Sequence, residues 1–210
     1  MKLLIVAGLC LGMICASGLG APALANDTQL ASLYRESYQL EANRDYAAAL
    51  AKMREIKSKA AGSYFASLRL GWVAYLAGDY QASEVAYREA ATAAPKAVEP
   101  RLGLTLPLLA ARKWRELERA TRDVLALDPN NAVARARLAH AQYSVGNYPD
   151  SATTYRKLIE EYPAELDHQT GLGWCLLKMG RKAEARQTFG GVLAVSPDNA
   201  NAKAGGEFAQ

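Results

Sequence analysis

The chain has 210 residues, half of them hydrophobic and 22% charged, enough apolar material for a substantial core and too much for a disordered chain. The formal net charge is +4, with Lys and Arg interspersed among Asp and Glu, so the dense basic face of a nucleic-acid binder is missing. The chain opens with Met1-Lys2 and an uncharged run from Leu3 to Ala25 that closes on Ala23-Leu24-Ala25. This fits a secretory signal peptide over residues 1–25, cut after an A-x-A site so that the mature chain begins at Asn26 and keeps a net charge of +3 once Lys2 is gone. The alternative is an uncleaved N-terminal membrane anchor. Cleavage would leave no stable membrane span. Cys10 and Cys15 would leave with the signal, neither following a small residue as a lipidation site requires, and Cys175 would remain without an internal disulfide partner.

After a short linker at 26–29 the chain repeats. Pro95, Pro129, Pro163 and Pro197 stand 34 residues apart, with Ala61 one period earlier. Counting back divides the chain into units 30–63, 64–97, 98–131, 132–165 and 166–199. The seventh place holds Leu70, Leu104, Leu138 and Leu172, and the eighth is small: Gly71, Thr105, Ala139 and Gly173. The seventeenth place holds Tyr46, Tyr80, Trp114, Tyr148 and Lys182; the twenty-fourth, Met53, Tyr87, Thr121, Tyr155 and Phe189. Gly78, Gly146 and Gly180 mark tight turns midway, because glycine takes the left-handed conformation that closes a helix. Each unit therefore reads as two amphipathic helices and a turn. The proline ends the second helix, and Ser63, Asn131 and Asn199 are placed to cap the next. Pro107 falls inside the first helix of the third unit, where a kink or a shortened helix is expected. In the tail, 200–210, Gly205-Gly206 limits any capping helix to two turns at most.

The sets Leu70-Gly71, Gly78-Asp79-Tyr80, Tyr87, Ala90, Pro95 and Leu172-Gly173, Gly180, Ala183, Ala185, Phe189, Pro197 resemble the tetratricopeptide repeat. Five in-phase copies cover residues 30–199. The resemblance implies an all-α solenoid, a right-handed superhelix whose first helices line a concave groove. It further implies a protein-binding scaffold and no enzyme. In that family the second, fifth, sixth, ninth, twelfth and thirteenth places of each unit face the groove. Carried onto this chain, those places give Tyr34, Arg35, Tyr38, Arg69, Trp72, Tyr75, Arg137, His140, Tyr143 and Trp174 as candidate partner-binding residues, with Leu68, Leu102, Leu106 and Leu109 at the centre.

Arginine beside aromatic rings can pair with a carboxylate and stack, so an extended peptide with acidic and apolar side chains suits this lining. The same rings could stack on sugars of an envelope polysaccharide. The competing structural reading is that the rings pack between first helices and the arginines form a solvated row. No cofactor is expected and no metal: His140 and His168 lie in different units without ligand-spaced partners. Cys175 is expected to be buried and inert. Gly171-Leu172-Gly173 lacks the third glycine and preceding strand of a dinucleotide fingerprint. The combined expectation is a periplasmic scaffold of the bacterial cell envelope that holds a protein partner through its groove or an exposed end. The alternative is a module bound to glycan or peptidoglycan.

Overall fold

The computed structural model describes residues 21–210; residues 1–20, most of the expected signal peptide, lie outside the described residues. Among the described residues the chain is eleven helices and no strand. They are α1 (Ala21–Ala42), α2 (Tyr46–Lys59), α3 (Tyr64–Leu76), α4 (Tyr80–Ala93), α5 (Glu99–Ala110), α6 (Trp114–Leu127), α7 (Ala132–Ser144), α8 (Tyr148–Glu161), α9 (Leu166–Lys178), α10 (Lys182–Val195) and α11 (Ala200–Phe208). Consecutive helices pack against each other in chain order, and the first helices α3, α5, α7, α9 and α11 also touch in series. That is a solenoid of helix pairs, in which each unit buries its apolar face against its neighbours. Residues 26–29 belong to α1, which starts nine residues before the first repeat place. No helix among the described residues is long and apolar enough to cross a membrane.

Local chemistry explains the boundaries. The side chains of Ser63, Asn131 and Asn199 accept from the backbone N–H groups of Ala66, Ala134 and Ala202, and Asp45 and Asp79 do the same for Ala48 and Ala82. Every second helix begins at the seventeenth place and runs 14 residues. In the last four units the repeating proline stands just past its end. At the midpoint turn Gly78, Gly146 and Gly180 have φ of 77°, 86° and 76°. The two units without glycine there force Arg44 and Arg112 into the same region, at φ 60° and 54°. Pro107 does not break α5, which continues to Ala110; the helix is one residue shorter than α3, α7 and α9, and the loss is at its start, beside Pro100. The Pro107 ring sits in the buried face and lacks the N–H that the carbonyl of Gly103, one turn earlier, would have accepted.

The core is set by the twenty-fourth place. Phe189 and Met53 are fully buried, and Tyr87 and Tyr155 nearly so. Each ring lies against a small residue of its own unit and a glycine of the next. A methyl group on Gly71 would meet Tyr87 at 2.8 Å, and one on Gly103 would meet it at 2.3 Å. A methyl group on Gly171 would meet Tyr155 at 2.4 Å, and Phe189 would be met at 2.6 Å by one on Gly173 and at 2.2 Å by one on Gly205. The Gly205 contact makes α11 a longer and better seated element than the tail sequence promised: nine helical residues pass through Gly205-Gly206 and pack on α9 and α10. The glycines weaken the helix by propensity but allow the ring to approach, and burial of Phe189 outweighs the roughly 1 kcal/mol per glycine. Ion pairs between successive units decorate the second helices, among them Arg54–Asp79 (2.8 Å), Lys57–Glu89 (2.8 Å) and Lys113–Glu84 (2.7 Å).

Candidate functional site

The ten residues expected to line the groove divide into two groups. In the N-terminal half, Glu41 gathers them. Its carboxylate accepts from the Arg69 guanidinium at 2.7 Å and from the Trp72 indole N–H at 2.8 Å. The guanidinium carbon of Arg69 also lies 4.0 Å from the centroid of the Tyr38 ring. Arg69 is thus held between a ring face and a carboxylate of its own chain, with only 12% of its side chain exposed. Tyr75 stacks obliquely on Trp72 at 5.9 Å, and Tyr34 on Phe65 at 5.5 Å. Burial raises the Tyr34 hydroxyl above the usual phenol range. Arg35 is exposed and has no ion-pair partner among the described residues.

Arg137 serves the fold as well. Its guanidinium donates to the Leu102 carbonyl at 3.2 Å and to the Thr105 hydroxyl, tying α7 to α5. Burial lowers its pKa, with the Tyr75 and Tyr87 hydroxyls opposing. The row of arginines expected to meet an acidic peptide is therefore reduced to Arg35: Arg69 already holds the carboxylate of Glu41, and Arg137 is committed to backbone and hydroxyl oxygens.

The C-terminal half is open. His140, Tyr143 and Trp174 line one pocket of ≈ 510 Å³ between α7, α9 and α11, with Tyr155, Asp167, Gly171 and Asn201. The Trp174 indole N–H donates to the Asn201 side-chain oxygen at 2.9 Å, and its ring is flanked by Phe189 (5.6 Å) and Phe208 (6.0 Å). His140 leans on Trp114 at 5.3 Å, and desolvation lowers its pKa. Sequence reasoning missed Glu41, Asp167 and Asn201. The positional signal was present for all three: Glu41 occupies the twelfth, groove-facing place of the first unit, and Asp167 and Asn201 the second place of a unit and of the half-unit formed by the tail.

Elsewhere the chain offers little chemistry. Cys175 is buried, its thiol donates to the Ser151 hydroxyl at 3.1 Å, and burial pushes it up from the usual thiol range. Among the described residues no group of three His, Cys, Asp or Glu could hold a metal ion.

Residues 136–200 match a family model for the tetratricopeptide repeat. Solved structures similar to this one agree along most of the chain. MamA from Desulfovibrio magneticus RS-1 superposes with a TM-score of 0.75 at 16% identity, over 81% of this chain and 97% of that one. The chain has a tetratricopeptide-repeat fold. A tetratricopeptide repeat protein from Parabacteroides merdae gives a TM-score of 0.79 at 15% identity, over 87% of this chain and 72% of its own. YrrB, a tetratricopeptide protein with an unusual peptide-binding site, gives 0.71 at 15% identity, over 80% and 87%. By sequence, 80 residues are 31% identical to the protein CTR9 homolog of Arabidopsis thaliana, and the match spans 38% of this chain and 7% of that protein's length.

Proposed function

We propose that this tetratricopeptide protein is an exported scaffold that holds a peptide segment of another protein in its groove, in the envelope of a bacterial cell. One observation carries the binding part: the groove is furnished by its own side chains in one half and left open in the other, where the ≈ 510 Å³ pocket lies within the range of about 300–1,000 Å³ of ligand sites. The solenoid supports the same reading, since stacked repeats present an extended surface suited to chain-like ligands. The peptide-binding site of YrrB is a precedent on the same fold. The leader-like residues 3–25 motivate the export part.

The experiment is a crosslinking pulldown from envelope extract, comparing the natural chain with Arg35→Glu/Trp72→Ala after circular dichroism confirms folding. Arg69 is left in place because its loss would strand Glu41. A protein captured by the natural chain and lost in the folded variant is the expected result. Equal capture by both would move the interaction out of the N-terminal half of the groove, to the C-terminal pocket, the ends or the outer surface. N-terminal sequencing of the exported protein tests the leader, with Asn26 as the expected first residue.

A further inference from the structure

The repeat lets one joint be read against another. At the joint of the first and second units, Arg69 (sixth place) lies over Tyr38 (ninth place of the preceding unit), beside Trp72 (ninth place of its own) and against Glu41. At the joint of the fourth and fifth units the same places hold Gly171, His140 and Trp174, and these three line the ≈ 510 Å³ pocket. The pocket thus lies where an arginine would stand. The chain cannot put one there itself: a Cβ on Gly171 would meet the Tyr155 ring at 2.4 Å, where Met53 takes the place of Tyr155 at the first joint. Tyr143 replaces Glu41, and the carboxylate moves to Asp167 in the first turn of α9.

The charge of the pocket agrees. Asp167 is the one acidic residue in its lining, and it has no ion-pair partner among the described residues. His140, desolvated, stays neutral there. The remaining walls are aromatic, and a guanidinium is suited both to ring faces and to a carboxylate. The first turn of a helix favours an aspartate on its own account. That role leaves its oxygens free to accept. The other two joints with glycine at the sixth place differ: at Gly103 the place of Asp167 is held by Glu99, which takes a hydrogen bond with Tyr64, and at Gly205 it is held by the uncharged Asn201.

The geometry points to the pocket of His140, Tyr143, Asp167 and Trp174 as the seat of an arginine side chain from the bound peptide, replacing in trans the Arg69 that the first joint supplies in cis. This rests on the groove reading above and specifies which side chain the groove selects. It also reverses the sequence expectation, which pictured an acidic ligand.

The test is a titration of acetyl-Gly-Arg-Gly-amide into the full chain labelled on its indole nitrogens, following the Trp174 resonance. A saturable shift at Trp174 is expected, with Trp72 unmoved. Replacing arginine by its neutral isostere citrulline should weaken binding about tenfold, and Asp167→Asn should weaken arginine binding by a similar factor, as expected for loss of a charge-assisted contact. On Asp167→Asn the two peptides should bind alike. The variant Tyr155→Met/Gly171→Arg, which rebuilds the first joint, should remain folded and lose the Trp174 response. Equal affinity for arginine and citrulline on the natural chain overturns the proposal, as does undiminished arginine binding to Asp167→Asn. A Trp174 shift with chitotriose and none with the arginine peptide also overturns it. If the pulldown partner is lost from Arg35→Glu/Trp72→Ala while the arginine peptide does not bind, the pocket is refuted and the groove reading stands. Charge-dependent arginine binding together with partners indifferent to that variant leaves the pocket standing and confines the groove reading to its C-terminal half.

Discussion

The solenoid is assembled from two kinds of joint. Where the twenty-fourth place carries a ring (Tyr87, Tyr155 or Phe189), the sixth place of the following unit is glycine: Gly103, Gly171 and Gly205. Where it carries Met53 or Thr121, the sixth place is Arg69 or Arg137. A ring and a glycine fill the joint from the second helix outward; a short residue and an arginine fill it from the groove inward. The ring joints rest on apolar burial. The arginine joints rest on hydrogen bonds, Arg69 to Glu41 and Arg137 to Leu102 and Thr105. The difference teaches that Arg69 and Arg137 are first packing residues, and that at the fourth joint, where the arginine is missing, a pocket opens.

The largest expected effect is at the last ring joint. Phe189→Ala should cost about 3–5 kcal/mol in urea denaturation and release α11, because it empties a fully buried site held between two glycines. Gly171→Arg alone overpacks the fourth joint and should cost about 1–3 kcal/mol. Adding Tyr155→Met should recover most of that loss, and failure of the double variant to recover would sever the two places that the comparison links. Cys175, beside Ser151 in the same region, provides an independent probe. Its burial and raised pKa predict no reaction with a thiol reagent at pH 8 in the natural chain and measurable labelling in Gly171→Arg.

At an arginine joint, Glu41→Gln should cost about 1–2 kcal/mol by stranding a mostly buried guanidinium. A double-mutant cycle with Arg69→Met should show that most of this loss vanishes once the arginine is gone. The smallest effect lies outside the joints. Arg112→Gly relieves a left-handed conformation worth about 1–2 kcal/mol and gives back about 0.5–1 kcal/mol in backbone entropy, so a small gain in Tm is expected. A loss there would mean that the Arg112 side chain makes a contact that outweighs its backbone strain.

The period of the prolines, the glycine turns and the capping Ser63, Asn131 and Asn199 were legible because each acts through its own backbone within a few residues. Pro107 lies inside α5, where the repeat spacing put it, with its ring in the buried face. The tail was misjudged because helix propensity counts Gly205 as a weakness, while the Phe189 ring requires it. Of the groove, the aromatic residues were placed correctly along the first helices, but their partners were not. Nothing local in Glu41 announces that it will hold both Arg69 and Trp72 from the next unit.

The sequence by itself determined the helices, their turns, their order and the 34-residue period, since these follow from local conformational preference and from apolar spacing repeated in every unit. Tertiary structure decided which groove residues are free. Whether an arginine is spent within the chain or a pocket is left for a ligand depends on the size of the side chain facing it from the preceding unit, and that volume is defined only when the units are stacked.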